Sequence, residues 1–174
     1  MHDQPRYKPL AKSAFFEDDR SARPPVEGTV ARGELREDEH LYTGKVDGAP
    51  ATEFPFPVTA EVLARGRQRY DIYCTPCHGA LGRGDGAIVQ RGFKKPPSLH
   101  TDLARIVPPG YHFDVITNGF GAMPDYSAQV SVRDRWAIVA YIRALQLSQR
   151  ATLDDVPAEK RAQLDGPAAP KEHE

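Results

Sequence analysis

The chain reads as a mostly α-helical domain set between a long irregular N-terminal arm and a loose C-terminal tail. Three features carry that reading. Apolar residues recur at helical spacing over about 60–73, a nearly all-apolar stretch runs from Trp136 to Leu145, and prolines and glycines crowd the remaining segments. At 174 residues, with 40% hydrophobic and 27% charged side chains, the chain can fill one modest core and not two.

The arm covers residues 1–58. It holds seven of the sixteen prolines, among them Pro24-Pro25, and is broken again at Gly28, Gly33, Gly44, Gly48, Pro50, Pro55 and Pro57. Phe15-Phe16, Leu41-Tyr42 and Phe54-Pro55-Phe56 are more apolar than a solvated linker needs. The arm is therefore expected to dock, on its own domain or on a partner, with a disordered tail as the opposing reading.

The domain covers 59–147. Thr59 is placed to cap a helix, Glu61 lies in the first turn where the helix dipole favours an acid, and Val62, Leu63, Gly66, Tyr70 and Tyr73 continue at helical spacing. Residues 79–130 are loop-rich, with short helical stretches such as Tyr111–Asn118, so some rigid object must order them. Ser131 and Asp134 resemble a capping box, and the stretch from Trp136 to Leu145 predicts a helix buried all round. Residues 148–174 are polar, with Pro157, Pro167 and Pro170, and read as a loose tail with one helical turn at most, at 158–164. There is no internal repeat.

Charge and hydropathy exclude several roles. Lys and Arg total 23 against 24 Asp and Glu, so the strong positive field that non-specific nucleic-acid binding requires is missing. The segments differ: −3 over 1–58, +4 over 59–147 and −2 over 148–174. No run of about 18 apolar residues occurs, and the first twenty residues contain no apolar h-region. The chain is expected neither to span a membrane nor to carry its own export signal.

Both cysteines lie in Cys74-Thr75-Pro76-Cys77-His78, a C-x-x-C-H sequence that reads as a covalent c-type haem attachment site. Thiols at i and i+3 face the two vinyl groups of one haem, and the histidine that follows reaches the iron from the same side. A structural zinc would need two further ligands, which His100 and His112 would have to supply. A redox dithiol of the thioredoxin kind belongs beside a βαβ pattern that this chain lacks. The sixth iron position points to Met123, in Gly119-Phe120-Gly121-Ala122-Met123-Pro124. A thioether there raises the potential and closes the iron to oxygen chemistry. The competing readings are His112 or His100 as ligand, and Met123 as a filler of the core.

On these residues, 59–147 resembles a small monohaem cytochrome c domain. The resemblance rests on Gly66 and Tyr70, Cys74-x-x-Cys77-His78-Gly79 with Gly82-x-Gly84-Asp85-Gly86, Pro97 with Leu99, Gly121-x-Met123-Pro124, and Trp136 with Tyr141. It implies that the first and last helices cross closely, Gly66 admitting Tyr141. It also implies that the carbonyl of Pro97 accepts a hydrogen bond from the free ring nitrogen of His78. One covalent haem c would then be held by Cys74, Cys77, His78 and Met123, passing single electrons with no catalytic residue. Gly82-Arg83-Gly84-Asp85-Gly86 superficially resembles a phosphate loop, but no strand precedes it; the glycines read as wrapping the haem. Arg83, Arg91, Lys94 and Lys95 would form a positive rim that steers an acidic electron-transfer partner, or else a solvated face.

The arm extends the resemblance. Met1–Leu10, Arg23–Gly33 and Thr43-Gly44 are similar to the arm of the monohaem cytochrome c subunit of bacterial alternative complex III. That membrane complex oxidises quinol and passes electrons to periplasmic carriers or an oxidase. The resemblance implies partners including a multihaem cytochrome c, a downstream cytochrome c or oxidase as acceptor, no nucleic acid, and a place on the periplasmic side of the inner membrane. Family members are typically lipoproteins anchored through a cysteine near the mature N-terminus. No cysteine precedes Cys74 here, so the anchor and signal lie upstream or the chain departs from that pattern. The other function class is a free or lipid-tethered periplasmic electron carrier with a disordered arm.

Overall fold

The computed structural model describes residues 4–161 and 164. The chain divides into two compact units at the Glu37/Asp38 junction.

The first unit is irregular backbone folded on itself. Lys12 and Arg20 form an isolated bridge, Ser13 is buried at 2% exposure, and its N–H donates to the carbonyl of Asp19 at 2.9 Å. Arg23 reaches back to the Asp18 carboxylate at 2.6 Å and lies over the Phe16 ring.

The second unit is helical, and its core is one cluster that includes Tyr70, Phe113, Ile116, Val130, Trp136, Ile138, Val139 and Ile142. It opens with helix α1 (Glu39–Thr43), capped by the Asp38 side chain, and a two-residue hairpin, β1 (Lys45–Val46) with β2 (Ala49–Pro50). Helix α2 (Ala60–Tyr73) starts at Thr59, whose hydroxyl accepts from the Val62 N–H, as the sequence predicts. The short helix α3 (Thr75–His78) follows directly, then α4 (Asp102–Ile106) and α5 (Pro109–Asn118). Helix α6 (Val132–Ser148) begins at Ser131, whose hydroxyl accepts from the Asp134 N–H. It buries nine residues on nearly all sides, as its apolar stretch requires.

Two features of this unit differ from the expected boundaries. The compact unit starts at Asp38 rather than at Thr59. The Nε1–H of Trp136 donates to the carbonyl of Leu41 at 2.8 Å, Phe54 and His40 meet the indole edge-on, and Ala51 is buried in the core at 2% exposure. Gly110 makes this docking possible. A Cβ there would lie 2.1 Å from the carbonyl oxygen of Gly44 and 2.4 Å from the nitrogen of Ala51. Of the two destinations expected for the arm, residues 38–58 therefore take their own domain. At the other end, α6 runs to Ser148, and a capped turn at Leu153–Asp155 leads into α7 (Ala158–Arg161). The rest of the expected tail, apart from Leu164, lies outside the described residues.

Helices α2 and α6 cross at Gly66, where a Cβ would sit 2.0 Å from the carbonyl oxygen of Ala137 and 3.1 Å from the Cβ of Tyr141. The expected pairing of Gly66 with Tyr141 is present. Arg65 clamps the same crossing with a two-pronged bond to Asp134, at 2.6 and 2.9 Å. That guanidinium holds the Asp134 carboxyl below its ordinary pKa.

A candidate haem site

The site grows from the end of α2. Cys74 is at once the last cap of α2 and the first of α3, so one tight turn carries both cysteines and His78. The backbone fixes this turn at several points. The N–H groups of His78 and Gly79 donate to the carbonyls of Cys74 and Thr75, and the buried hydroxyl of Tyr70 donates to the carbonyl of Gly79 at 2.9 Å. Burial raises the Tyr70 pKa, so the phenol stays a donor.

The glycines after His78 bring the chain close to the attachment turn. Gly84 N–H donates to the carbonyl of His78 at 2.8 Å and Gly86 N–H to that of Cys77 at 3.1 Å. A Cβ on Gly86 would stand 2.2 Å from the Pro76 carbonyl oxygen, and one on Gly84, at φ +74°, would stand 2.3 Å from that of Pro96. They let the chain wrap closely on the attachment turn itself.

Cys74, Cys77 and His78 are half-buried and the thiols are unbridged. Burial, reinforced by the Cys77 sulfur, pushes the Cys74 thiol up to about 12. A redox dithiol requires the opposite shift, towards thiolate, so the geometry disfavours that reading. Burial also lowers the His78 pKa, which keeps the imidazole neutral, the form that ligates metals.

The Nδ1 of His78 is buried and has no hydrogen-bond partner. The expected bond from this ring to the carbonyl of Pro97 is therefore not formed, and Pro97 is exposed. The Pro96-Pro97 loop is held to the Gly82 backbone instead. Leu99 N–H donates to the carbonyl of Gly82 at 2.8 Å, which fixes where the loop stands relative to α3.

Met123 lies on a tight turn after α5, closed by reciprocal 3.0 Å bonds between the backbones of Phe120 and Met123. Its side chain is half-buried and packs against the core cluster, as do Tyr73, Cys74, Leu99 and Tyr126. Of the alternative ligands, the Nε2 of His100 meets the carbonyl of Leu81 at 2.6 Å, and that of His112 meets the carbonyl of Ala104 at 3.0 Å. Each histidine is thus engaged in a loop contact. Among the described residues, no group of three or more His, Cys, Asp or Glu side chains is arranged to hold a metal ion, which also disfavours the zinc reading.

Two unbridged thiols, a half-buried imidazole with an orphaned nitrogen, a thioether and a half-buried apolar lining fit a covalently attached haem. Bound there, it supplies a one-electron iron couple. The chain's own part would be to attach and ligate it.

The sequence reading missed the polar cluster that holds the loop behind this site. Arg143 donates to the carbonyls of Ala104, Arg105 and Val107, and Gln146 donates to those of Leu99 and Ala104, at 2.7 and 3.0 Å. Both side chains belong to α6 and pin residues 99–107 down. His112 joins them at the carbonyl of Ala104, and burial lowers its pKa to about 4. Two polar side chains on the apolar α6 were the available signal, since a buried helix carries such residues only where they find partners.

Residues 61–142 match the family model described as cytochrome C oxidase, cbb3-type, subunit III. This segment is similar to a cytochrome c domain. Its expected chemistry is covalent c-type haem and haem-based electron transfer, and the mostly helical architecture agrees with that fold. No curated protein matches the chain. Similar solved structures include a chain of the reducing HAO-like protein complex of Kuenenia stuttgartiensis, at 24% identity and a TM-score of 0.46, over 62% of this chain and 54% of that one. Another is cytochrome cL from the marine methylotrophic bacterium Methylophaga aminisulfidivorans, at 19% identity and a TM-score of 0.48, over 83% of this chain and 89% of that one. This chain spans about half the length of the first.

Proposed function

We propose that this cytochrome c domain passes single electrons through one haem, with Cys74 and Cys77 as thioether anchors and His78 and Met123 as axial ligands. The observation that carries the reading is the attachment turn at the end of α2. It presents two unbridged thiols and a neutral imidazole within five residues, while His100 and His112 are engaged in loop contacts. Since the chain has two cysteines, it can anchor one haem of this kind. A thioether in the sixth position leaves no open iron site, so the chain relays electrons rather than transforming a substrate.

We further propose that it works as the monohaem component of a quinol-oxidising membrane complex of the alternative complex III type, on the periplasmic face. There it would stand beside a multihaem cytochrome c, with a cytochrome c or an oxidase as acceptor. The support is the resemblance of the arm at Met1–Leu10, Arg23–Gly33 and Thr43-Gly44. Among the described residues, no helix is long and apolar enough to cross a membrane. Purification from detergent-solubilised native membranes, following the covalent haem, tests the assignment. Migration with a large multihaem, quinol-oxidising assembly is the expected result. Migration alone would contradict it and leave a free or lipid-tethered carrier.

A further inference from the structure

The turn that carries Met123 holds its own shape but has few ties to the domain. Phe120 and Met123 close it on themselves, and on its N-terminal side the Gly119 N–H donates to the carbonyl of Val115 at 2.9 Å, ending α5. Phe120, Gly121, Ala122, Pro124 and Asp125 are all exposed. The fixed point on the C-terminal side is Tyr126. Its N–H donates to the carbonyl of Ile116 at 3.0 Å, and its carbonyl accepts from Val130 at 2.9 Å, a residue only 2% exposed.

The side chain of Tyr126 is half-buried. It packs against the core, and its ring meets that of Tyr73 edge-on, with centroids 6.5 Å apart. Tyr73 is the last residue of α2 and immediately precedes Cys74. One aromatic contact thus joins the turn bearing the thioether to the turn bearing the haem anchors.

We propose that Tyr126 is the positioning residue for Met123, its ring braced on Tyr73 so that the thioether-bearing turn keeps its distance from the attachment turn. This rests on the reading of Met123 as the sixth ligand. An edge-to-face contact between two aromatic rings stabilises beyond its buried area, which biases a lightly tethered turn. The ring is what the contact uses, so phenylalanine can replace tyrosine in this role.

The test uses the full-length holoprotein and reads the sulfur-to-iron absorption band of the oxidised form, together with carbon monoxide binding to the reduced form. Tyr126→Leu and Tyr73→Leu keep apolar volume and remove the aromatic pair. Each is expected to lose the band and to admit carbon monoxide, the double variant being no worse than either single one, while Tyr126→Phe retains the band. Thermal unfolding of the same variants separates positioning from general loosening, since Tyr126→Phe and Tyr126→Leu then differ in the band more than in melting temperature. Full bands in both leucine variants, or loss of the band in Tyr126→Phe, would overturn the proposal. Met123→Ala is the control on the underlying reading. If it keeps the native band, or if the native protein has none, Met123 is not the ligand and the role given to Tyr126 falls with it.

Discussion

A holoprotein that begins at residue 59 is expected to melt well below one that begins at residue 38. The difference is residues 38–58, which carry no haem ligand but cover Trp136. In the longer chain the indole is fully buried, stacked on Phe113 with centroids 4.5 Å apart and bonded through Nε1 to the carbonyl of Leu41. Removing the segment strips Leu41, Ala51, Phe54 and Phe56 from the cluster and opens the indole to water. A fully buried large apolar side chain contributes about 1.5–3 kcal/mol, and these are partly offset by the entropy of ordering the segment. The net loss should be about 2–4 kcal/mol, a large share of a small domain's stability. That corresponds to a fall of about 10 °C in Tm by circular dichroism. Equal melting temperatures for the two chains would show that the segment merely rests on the surface.

The second large effect is at Gly66, and its sign separates two explanations. Helix propensity alone makes Gly66→Ala stabilising by about 1 kcal/mol in the middle of α2. The crossing predicts the reverse. The new Cβ would stand 2.0 Å from the carbonyl oxygen of Ala137, and that oxygen belongs to helix backbone that cannot swing aside. The two longest helices must separate, opening contacts around Tyr70 and Tyr141, whose rings meet edge-on at 5.4 Å. Overpacking typically costs about 1–3 kcal/mol, and a clash with backbone belongs at or beyond the upper end. Gly66→Leu should be worse still. Denaturant unfolding of the holoproteins checks this, and a Gly66→Ala variant more stable than the native chain would contradict the crossing.

How much of this could be read from residues varies by element, for physical reasons. Helices α2 and α6 were legible at both levels, since each announces itself by a capping hydroxyl, Thr59 or Ser131, followed by helical periodicity. Their crossing was legible too, because a glycine in a helix interior is costly unless something needs the space. Residues 38–58 were not legible as part of the domain. Their order comes from long-range bonds, Leu41 to Trp136 and Ala51 to Gly110, which leave no periodicity in a segment rich in glycine and proline. The apolar pairs Leu41-Tyr42 and Phe54-Phe56 hinted at docking but not at where.

The site divides in the same way. Cys74, Cys77 and His78 are fixed by local spacing on one turn, so their grouping survives without any knowledge of the fold. Pro97 depends on where a distant loop comes to rest, and the structure leaves the His78 Nδ1 without it. Gly82, Gly84 and Gly86 were recognisable as obligatory glycines, yet what they approach is the chain at Pro76, Pro96 and Leu99, which spacing cannot reveal. Tyr126 escaped notice because its meaning lies in a contact with Tyr73, more than fifty positions earlier in the chain.

A haem bonded to the Cys74–His78 turn is tested most directly by the mass of the denatured protein. The protein should be produced in a host that matures c-type cytochromes and then extracted with acidified organic solvent, which removes haem that is not covalently held. The predicted result is a chain that keeps the mass of one haem, and loses it when Cys74 and Cys77 are both replaced by alanine. A chain stripped to its polypeptide mass, with both thiols free or joined in a disulfide, would contradict the account.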